Sequence, residues 1–319
     1  MRNERLQRSL SSPDIMKWLF LLCLPVTCLQ AQSPGVPIYP EGRGARPQAG
    51  LLAAAKELYE VKALLSIETL AEQSKRTSCE LALPAPETKE LSGRERWQRA
   101  RASHVRVGYY YQCTQCDKWH LDLAGGYAIT ADGAVATCAH VIAPPDEMKE
   151  GYLIAATDED VVMPVLEVLA VNAGKDCAIL RVKADKLTPL PLATEVAPGD
   201  SAWCFSDPSG KRGYYSEGIV SRFVQRPFLR KKEQTEGVEV PKPLWLETTL
   251  DWAPGSSGSA LVDLYGNCVG HVSEIEAVME DQPTRARGKG AAATMARGTY
   301  IVFHQAIAAA EVKSLIETK

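Results

Sequence analysis

From His104 onward the chain is a succession of short β-branched and aromatic runs. Asp-Gly, Gly-Asp, Asp-Pro and Gly-Asn pairs cut them apart. Runs of this length cannot build long helices, and none can bury a core alone; their spacing predicts an all-β sandwich or a pair of barrels. Strands are expected at 105–107, 126–130, 135–138, 152–156, 177–182, 201–205, 219–223, 260–262 and 268–272, with His304 in a last strand and a helix over 311–317 closing the chain.

Upstream the pattern changes three times. Residues 18–29 form an apolar run behind Lys17 and three arginines and end near Ala31. A basic start, a short apolar stretch and a small terminal residue predict a signal peptide over 1–31, starting at Met1 or at Met16. The run falls short of the roughly 20 residues that span a bilayer. The expectation is therefore export, periplasmic or secreted, with no membrane span after cleavage. Residues 32–49 are rich in Pro and Gly and read as a linker. Over 50–101 a helical extension is expected. Leu51, Ala55, Leu58, Val61, Leu65 and Ala71 form an apolar stripe along a helix over 51–75, which needs a partner surface. That surface is the chain's own body or a second copy in a homo-oligomer. A second helix is expected over 88–101, where Arg94, Arg96, Arg99 and Arg101 read as a solvated face. Residues 102–319 then form one domain.

Composition narrows the function classes. With 24% charged residues, 45% hydrophobic residues and net charge −3, the chain is globular and carries no basic footprint for nucleic acid. Nine cysteines are too few for a disulfide scaffold. Removing the leader leaves an odd set: Cys79, Cys113, Cys116, Cys138, Cys177, Cys204 and Cys268. At least one thiol must then be free or bridged to another chain.

Three segments each set a reactive side chain beside a turn or strand end. Ala136-Thr137-Cys138-Ala139-His140 follows the Asp132-Gly133 turn. Asp176 opens the apolar strand Cys177-Ala178-Ile179-Leu180. Ser257 lies in Pro254-Gly255-Ser256-Ser257-Gly258-Ser259-Ala260. A nucleophilic serine needs a base in reach, and the base needs a carboxylate to hold its tautomer. Flanking glycines let the backbone aim amides at an oxyanion. The order His, Asp, Ser is that of chymotrypsin, and Ser259 breaks a Gly-x-Ser-x-Gly elbow.

On these residues the sequence resembles the HtrA/Deg branch of trypsin-like serine proteases. Gly125–Gly133 through His140-Val141-Ile142 is similar to the family's strand, Asp-Gly turn and Thr-x-x-His-Val signature. Asp176–Leu180, Gly199-Asp200 through Gly210, Glu217–Ser221 and Pro254–Val262 resemble its later motifs. The resemblance implies a double six-stranded β-barrel that acts on proteins or peptides without cofactor or metal. His140 would be the base, Asp176 its carboxylate, Ser257 the nucleophile, and the amides of Gly255 and Ser257 the oxyanion hole. Ser256 and Ser259 depart from the usual Asn and Gly. The chain ends soon after the closing helix, so no PDZ domain is expected. The rival reading is a catalytically silent binding or chaperone-like protein that kept the fold.

Asp251, six residues before Ser257, stands where trypsin-like proteases place the base of their primary pocket, and would favour Arg or Lys there. The alternatives are that it turns to solvent and that Trp252 fills the space. His271 and Ser273 are expected in the pocket wall. Cys113-Thr114-Gln115-Cys116 with His120 could begin a zinc site, but a structural site needs four ligands. In an exported chain a disulfide within the pair, or to Cys79, is the expectation. Cys138 and Cys177 are expected to be buried thiols.

Overall fold

Strand β8 (Cys177–Val182) shows why the chain folds as it does: five of its six residues are buried, so it must lie inside a sheet with both faces covered. The computed structural model describes residues 36–39, 48–228, 241–283 and 295–318; the expected signal peptide and most of the linker lie outside them.

In chain order come α1 (Ala49–Glu60), α2 (Ile67–Gln73), β1 (Cys79–Leu81) and α3 (Gly93–Ser103). Seven strands follow: β2 (Val105–Cys113), β3 (Trp119–Ala124), β4 (Tyr127–Ala128), β5 (Ala134–Thr137), β6 (Met148–Thr157), β7 (Val162–Asn172) and β8. Their sheet order is β3-β2-β6-β7-β8-β5-β4. The second set is β9 (Ser201–Ser206), β10 (Tyr214–Gln225), β11 (Leu244–Thr248), β12 (Ala260–Val262), β13 (Cys268–Pro283) and β14 (Met295–Ala308). These six close into a barrel in the order β10-β11-β14-β13-β12-β9. Helix α4 (Ala309–Lys313) and β15 (Ile316–Thr318) end the chain.

This is the double-barrel trypsin-like architecture, with one departure. The first sheet has seven strands and is not closed as the second is. It curls until β4 returns to the start of β2, where Val105 N donates to Gly126 O at 3.0 Å and His104 bridges Tyr127. Val107, Leu153, Val168 and Leu180 fill the first sheet's interior, and Cys204, Leu246, Leu261 and Val269 fill the barrel. A third core joins them through Tyr127, Ile179, Phe205, Trp245 and Ile307.

The helical extension is part of this body; Tyr39–Lys319 forms one compact unit. The stripe expected as one helix over 51–75 is two helices, with Lys62 in a left-handed conformation between them. Leu51 and Ala55 of α1 are buried, and Ala55 packs on Tyr110 and Ile154. The stripe's partner surface is thus the chain's own first sheet. Helix α3 starts at a capping box in which Ser92 and Glu95 satisfy each other's backbone amides.

Its arginines correct the solvated-face expectation. Arg96 is buried with its guanidinium 3.8 Å over the Trp203 ring. Arg101 pairs with the buried Asp158 at 2.5 Å. The guanidinium reaches past the helix surface to a ring face or a desolvated carboxylate, either of which holds it better than water alone.

The closing helix over 311–317 is also corrected. Helix α4 stops at Lys313, and β15 pairs in parallel with β1, Ile316 opposite Cys79. Leu315 and Ile316 share the joining core with Ala309 and Val312, a spacing a continued helix would also bury; the helix ends because the chain pairs its backbone with β1 instead. Among the described residues no helix is long and apolar enough to cross a membrane. Because Ile154 is fully buried between the sheet and α1, Ile154→Ala should cost about 2–5 kcal/mol, read as a lower midpoint in urea at unchanged slope.

Candidate active site

His140 lies in a single 3₁₀ turn, Ala139–Ile142, directly after β5. Asp176 immediately precedes β8, and β5 and β8 are paired neighbours. Their adjacency brings together two side chains 36 residues apart. Nδ1 of His140 lies 3.0 and 2.9 Å from the two Asp176 carboxylate oxygens, and the His140 amide donates to Oδ1 at 3.1 Å. Asp176 is itself held in a left-handed conformation (φ 51°) at the end of the turn Ala173–Lys175, whose start is capped by Asn172 Oδ1. Asp tolerates this backbone better than most residues.

The carboxylate of Asp176 is fully buried. Burial alone would push its pKa up, but the bond and charge of His140 and the bond from Ser273 outweigh it. The net shift is downward, so Asp176 stays ionised.

Ser257 comes from the other half of the molecule, in the loop before β12. It lines one cavity with His140, together with Tyr109, Asp122, Ala124 and Asp146. The cavity is about 310 Å³. No hydrogen bond joins Ser257 Oγ to His140 among the described residues. The halves are stitched at this point by Gly125 N donating to Ser257 O at 2.7 Å and Cys138 Sγ to Val272 O at 3.0 Å.

The backbone before Ser257 is shaped from outside. Ser209 N donates to Pro254 O at 2.7 Å, drawing that carbonyl away from Ser257. Ser256 N turns back to Ala253 O. The amides of Gly255 and Ser257 have no acceptor among the described residues, which leaves them free for an anionic oxygen. Gly255 has φ +98°, and a Cβ there would sit 2.9 Å from Asp207 O. Only glycine fits both constraints. Asp207 is fixed in turn by Gly213 N at 2.8 Å, with His104 and Arg106 close by.

The three expected pocket residues are placed differently. Asp251 is exposed, and its carbonyl accepts from Ser216 Oγ. Trp252 beside it is buried, its Nε1 donating to Glu274 O at 3.2 Å and its ring packing edge-on against His304. The indole packs into the barrel core. Ser273 does not line a wall; its hydroxyl donates to Asp176 Oδ2 at 2.5 Å. His271 lies fully buried under the site, its Nε2 3.1 Å from the Asp176 carbonyl. Neither position was legible as such, because two residues of one strand can support a carboxylate only once β13 is laid beside β8's start.

Ser259, the departure from the family pattern, is buried against Gly125: a Cβ on Gly125 would meet Ser259 Oγ at 2.0 Å. The pair fits because residue 125 has no side chain. Cys138 and Cys177 are fully buried thiols, and burial pushes both pKa values well up. Beside His140 a second, apolar cavity of about 280 Å³ is walled by Ile67 and Leu70 of α2, Ile142, Val171 and Phe228.

Residues 124–270 match the trypsin-like peptidase domain family. Over 155 residues the chain is 28% identical to the protein named protease Do-like 14 in Arabidopsis thaliana. It is 29% identical to a DegP-like periplasmic serine endoprotease of Halomonas elongata. These matches take in 46% and 48% of this chain and 34% and 29% of the two relatives, so the chain spans about a third of their length. Fold and family match agree that residues 124–270 are similar to a trypsin-like peptidase domain, and the two relatives place the likeness among Do/DegP-like serine proteases.

His271 supplies a pH signature. Burial lowers its pKa below the ordinary value, despite the opposing charge of Asp176. Above pH about 6.5 it is neutral both folded and unfolded; below that, only the unfolded chain takes up the proton. Stability should therefore fall as pH drops from about 6.5 toward the depressed folded value. His271→Gln should flatten that limb in urea midpoints measured from pH 8 to pH 5.

Proposed function

We propose that the protein is an exported serine endopeptidase working through His140, Asp176 and Ser257. One observation carries this reading. His140 is clamped to a buried, ionised Asp176 and shares a cavity with Ser257, whose own amide and that of Gly255 are left unpaired. The same geometry has no economical explanation as packing alone.

In this mechanism Ser257 Oγ attacks a peptide carbonyl while His140 Nε2 takes its proton. Asp176 holds the imidazole tautomer and stabilises the imidazolium. Charge on the carbonyl oxygen is met by the Gly255 and Ser257 amides, where losing one donor costs about 10²–10³ in turnover. His140 then protonates the departing amine, the C–N bond breaks, and an ester to Ser257 remains. Water, deprotonated by His140, hydrolyses that ester and returns the serine. Export rests on the 1–31 leader read from sequence. It accords with the periplasmic description of the Halomonas relative.

A fluorophosphonate should label the wild-type chain and leave Ser257→Ala unlabelled. A folded wild-type chain that stays unlabelled between pH 6 and 9 would instead make this a binding protein of protease fold.

The substrate preference follows from charge and shape. Asp251 is exposed and Trp252 packs into the barrel core, so Asp251 is assigned no role in binding a basic side chain in this reading. Asp122 and Asp146 instead line the cavity that holds Ser257 and His140, favouring a basic side chain close to the scissile bond. In a peptide library, Asp122→Asn should lower kcat/KM for sequences with Lys or Arg flanking the cut bond, and Asp251→Asn should leave the profile unchanged. The reverse pattern would restore Asp251 as the specificity residue.

A further inference from the structure

The hairpin between β2 and β3 carries a cluster with no part in the chemistry above. Its turn runs Cys113-Thr114-Gln115-Cys116-Asp117-Lys118 and is closed by Cys113 N donating to Lys118 O at 2.9 Å and Asp117 N to Cys113 O at 3.0 Å. Asp117 takes φ +53°, which bends the chain sharply back. Tyr111 pairs with His120 across the hairpin. Cys113, two residues beyond Tyr111, therefore shares a face with His120. The turn then folds Cys116 over that face, with its Sγ 3.0 Å from His120 Nε2.

All three donor atoms, Sγ of Cys113, Sγ of Cys116 and a ring nitrogen of His120, lie within 4.8 Å of one another. A zinc ion bound tetrahedrally at roughly 2.0–2.3 Å holds such atoms about 3.3–3.8 Å apart, so small side-chain movements complete the set. Gln115 N points at Cys113 Sγ at 3.4 Å, the contact a metal-bound thiolate accepts from its own turn. All seven described cysteines are free. The disulfide expected within the Cys113/Cys116 pair, or from either to Cys79, is therefore not formed. Cys79 is instead on β1 beside the C-terminal strand, and His104 packs on Phe205 near Asp207. Neither completes the cluster.

We propose that Cys113, Cys116 and His120 bind one zinc ion, with water in the fourth position. The ion clips the outer end of a hairpin whose inner end, at Asp122 and Ala124, walls the catalytic cavity. This chemistry belongs to a two-thiolate, one-imidazole site, which zinc favours over magnesium or calcium.

The test uses the full chain with its thiols intact. Zinc is measured by mass spectrometry after purification without chelator, and cobalt(II) is titrated into metal-free protein. The expected results are one zinc per chain and a thiolate-to-cobalt charge-transfer band in the near ultraviolet. Both should be lost in Cys116→Ser and in His120→Ala, while circular dichroism confirms that each variant folds. Cys116 is exposed at the turn, so its substitution is the safer of the two. Absence of metal from the purified chain and of the cobalt band from reduced protein would overturn the proposal. So would a Cys113–Cys116 disulfide that persists in the native chain and excludes metal.

Discussion

The buried carboxylate of Asp176 is the point on which the two halves of this protein depend. It accepts from His140 twice and from Ser273 once, and its carbonyl lies against His271. His140 comes from the first sheet; Ser273 and His271 come from β13 of the barrel. A desolvated charge tolerates no missing partner, since an unpaired buried carboxylate is far costlier than an unpaired surface one. The sheets are therefore obliged to meet in one register. That register also brings Ser257 to the cavity containing His140. Stability and candidate chemistry share one set of bonds.

The same logic extends to the segment upstream of the strands. Asp158 is buried and meets Arg101 from α3, Tyr39 from the start of the body, and Arg212 from the loop after β9. Arg106 and Arg212 both reach Asp160. Paired and hydrogen-bonded, these charges tie the extension to the loop near Asp207. That loop draws the Pro254 carbonyl aside. The extension is thus mechanically continuous with the backbone that aims the Gly255 and Ser257 amides, while α2 contributes Ile67 and Leu70 to the apolar cavity beside His140.

Much of this was legible in the residues. The nine expected strands all exist; those over 177–182 and 260–262 match in extent, and others, such as 105–107 and 268–272, are longer. Strand β7 was not legible because bulges in it break the alternation of buried and exposed residues, and β11 because four of its five residues are buried and do not alternate at all. The second arginine-rich helix was misjudged for a different reason. Arg96 looks solvated in one dimension, and only Trp203, more than a hundred residues away, gives its guanidinium a buried face. Ser273 and His271 likewise carry no motif of their own.

What the sequence by itself determined is the order and candidate roles of His140, Asp176 and Ser257, the glycines that let the Ser257 loop bend, and the β-rich class. Those are local properties: turn pairs, side-chain type, and the backbone freedom of glycine at 255. Tertiary structure alone decided which side chains support them. It put Ser273 under the carboxylate, Trp252 in the barrel core beside an exposed Asp251, and Cys113 beside His120. Hydrogen bonds and buried charges act over a few ångströms, and only the paired sheets bring residues a hundred positions apart within that reach.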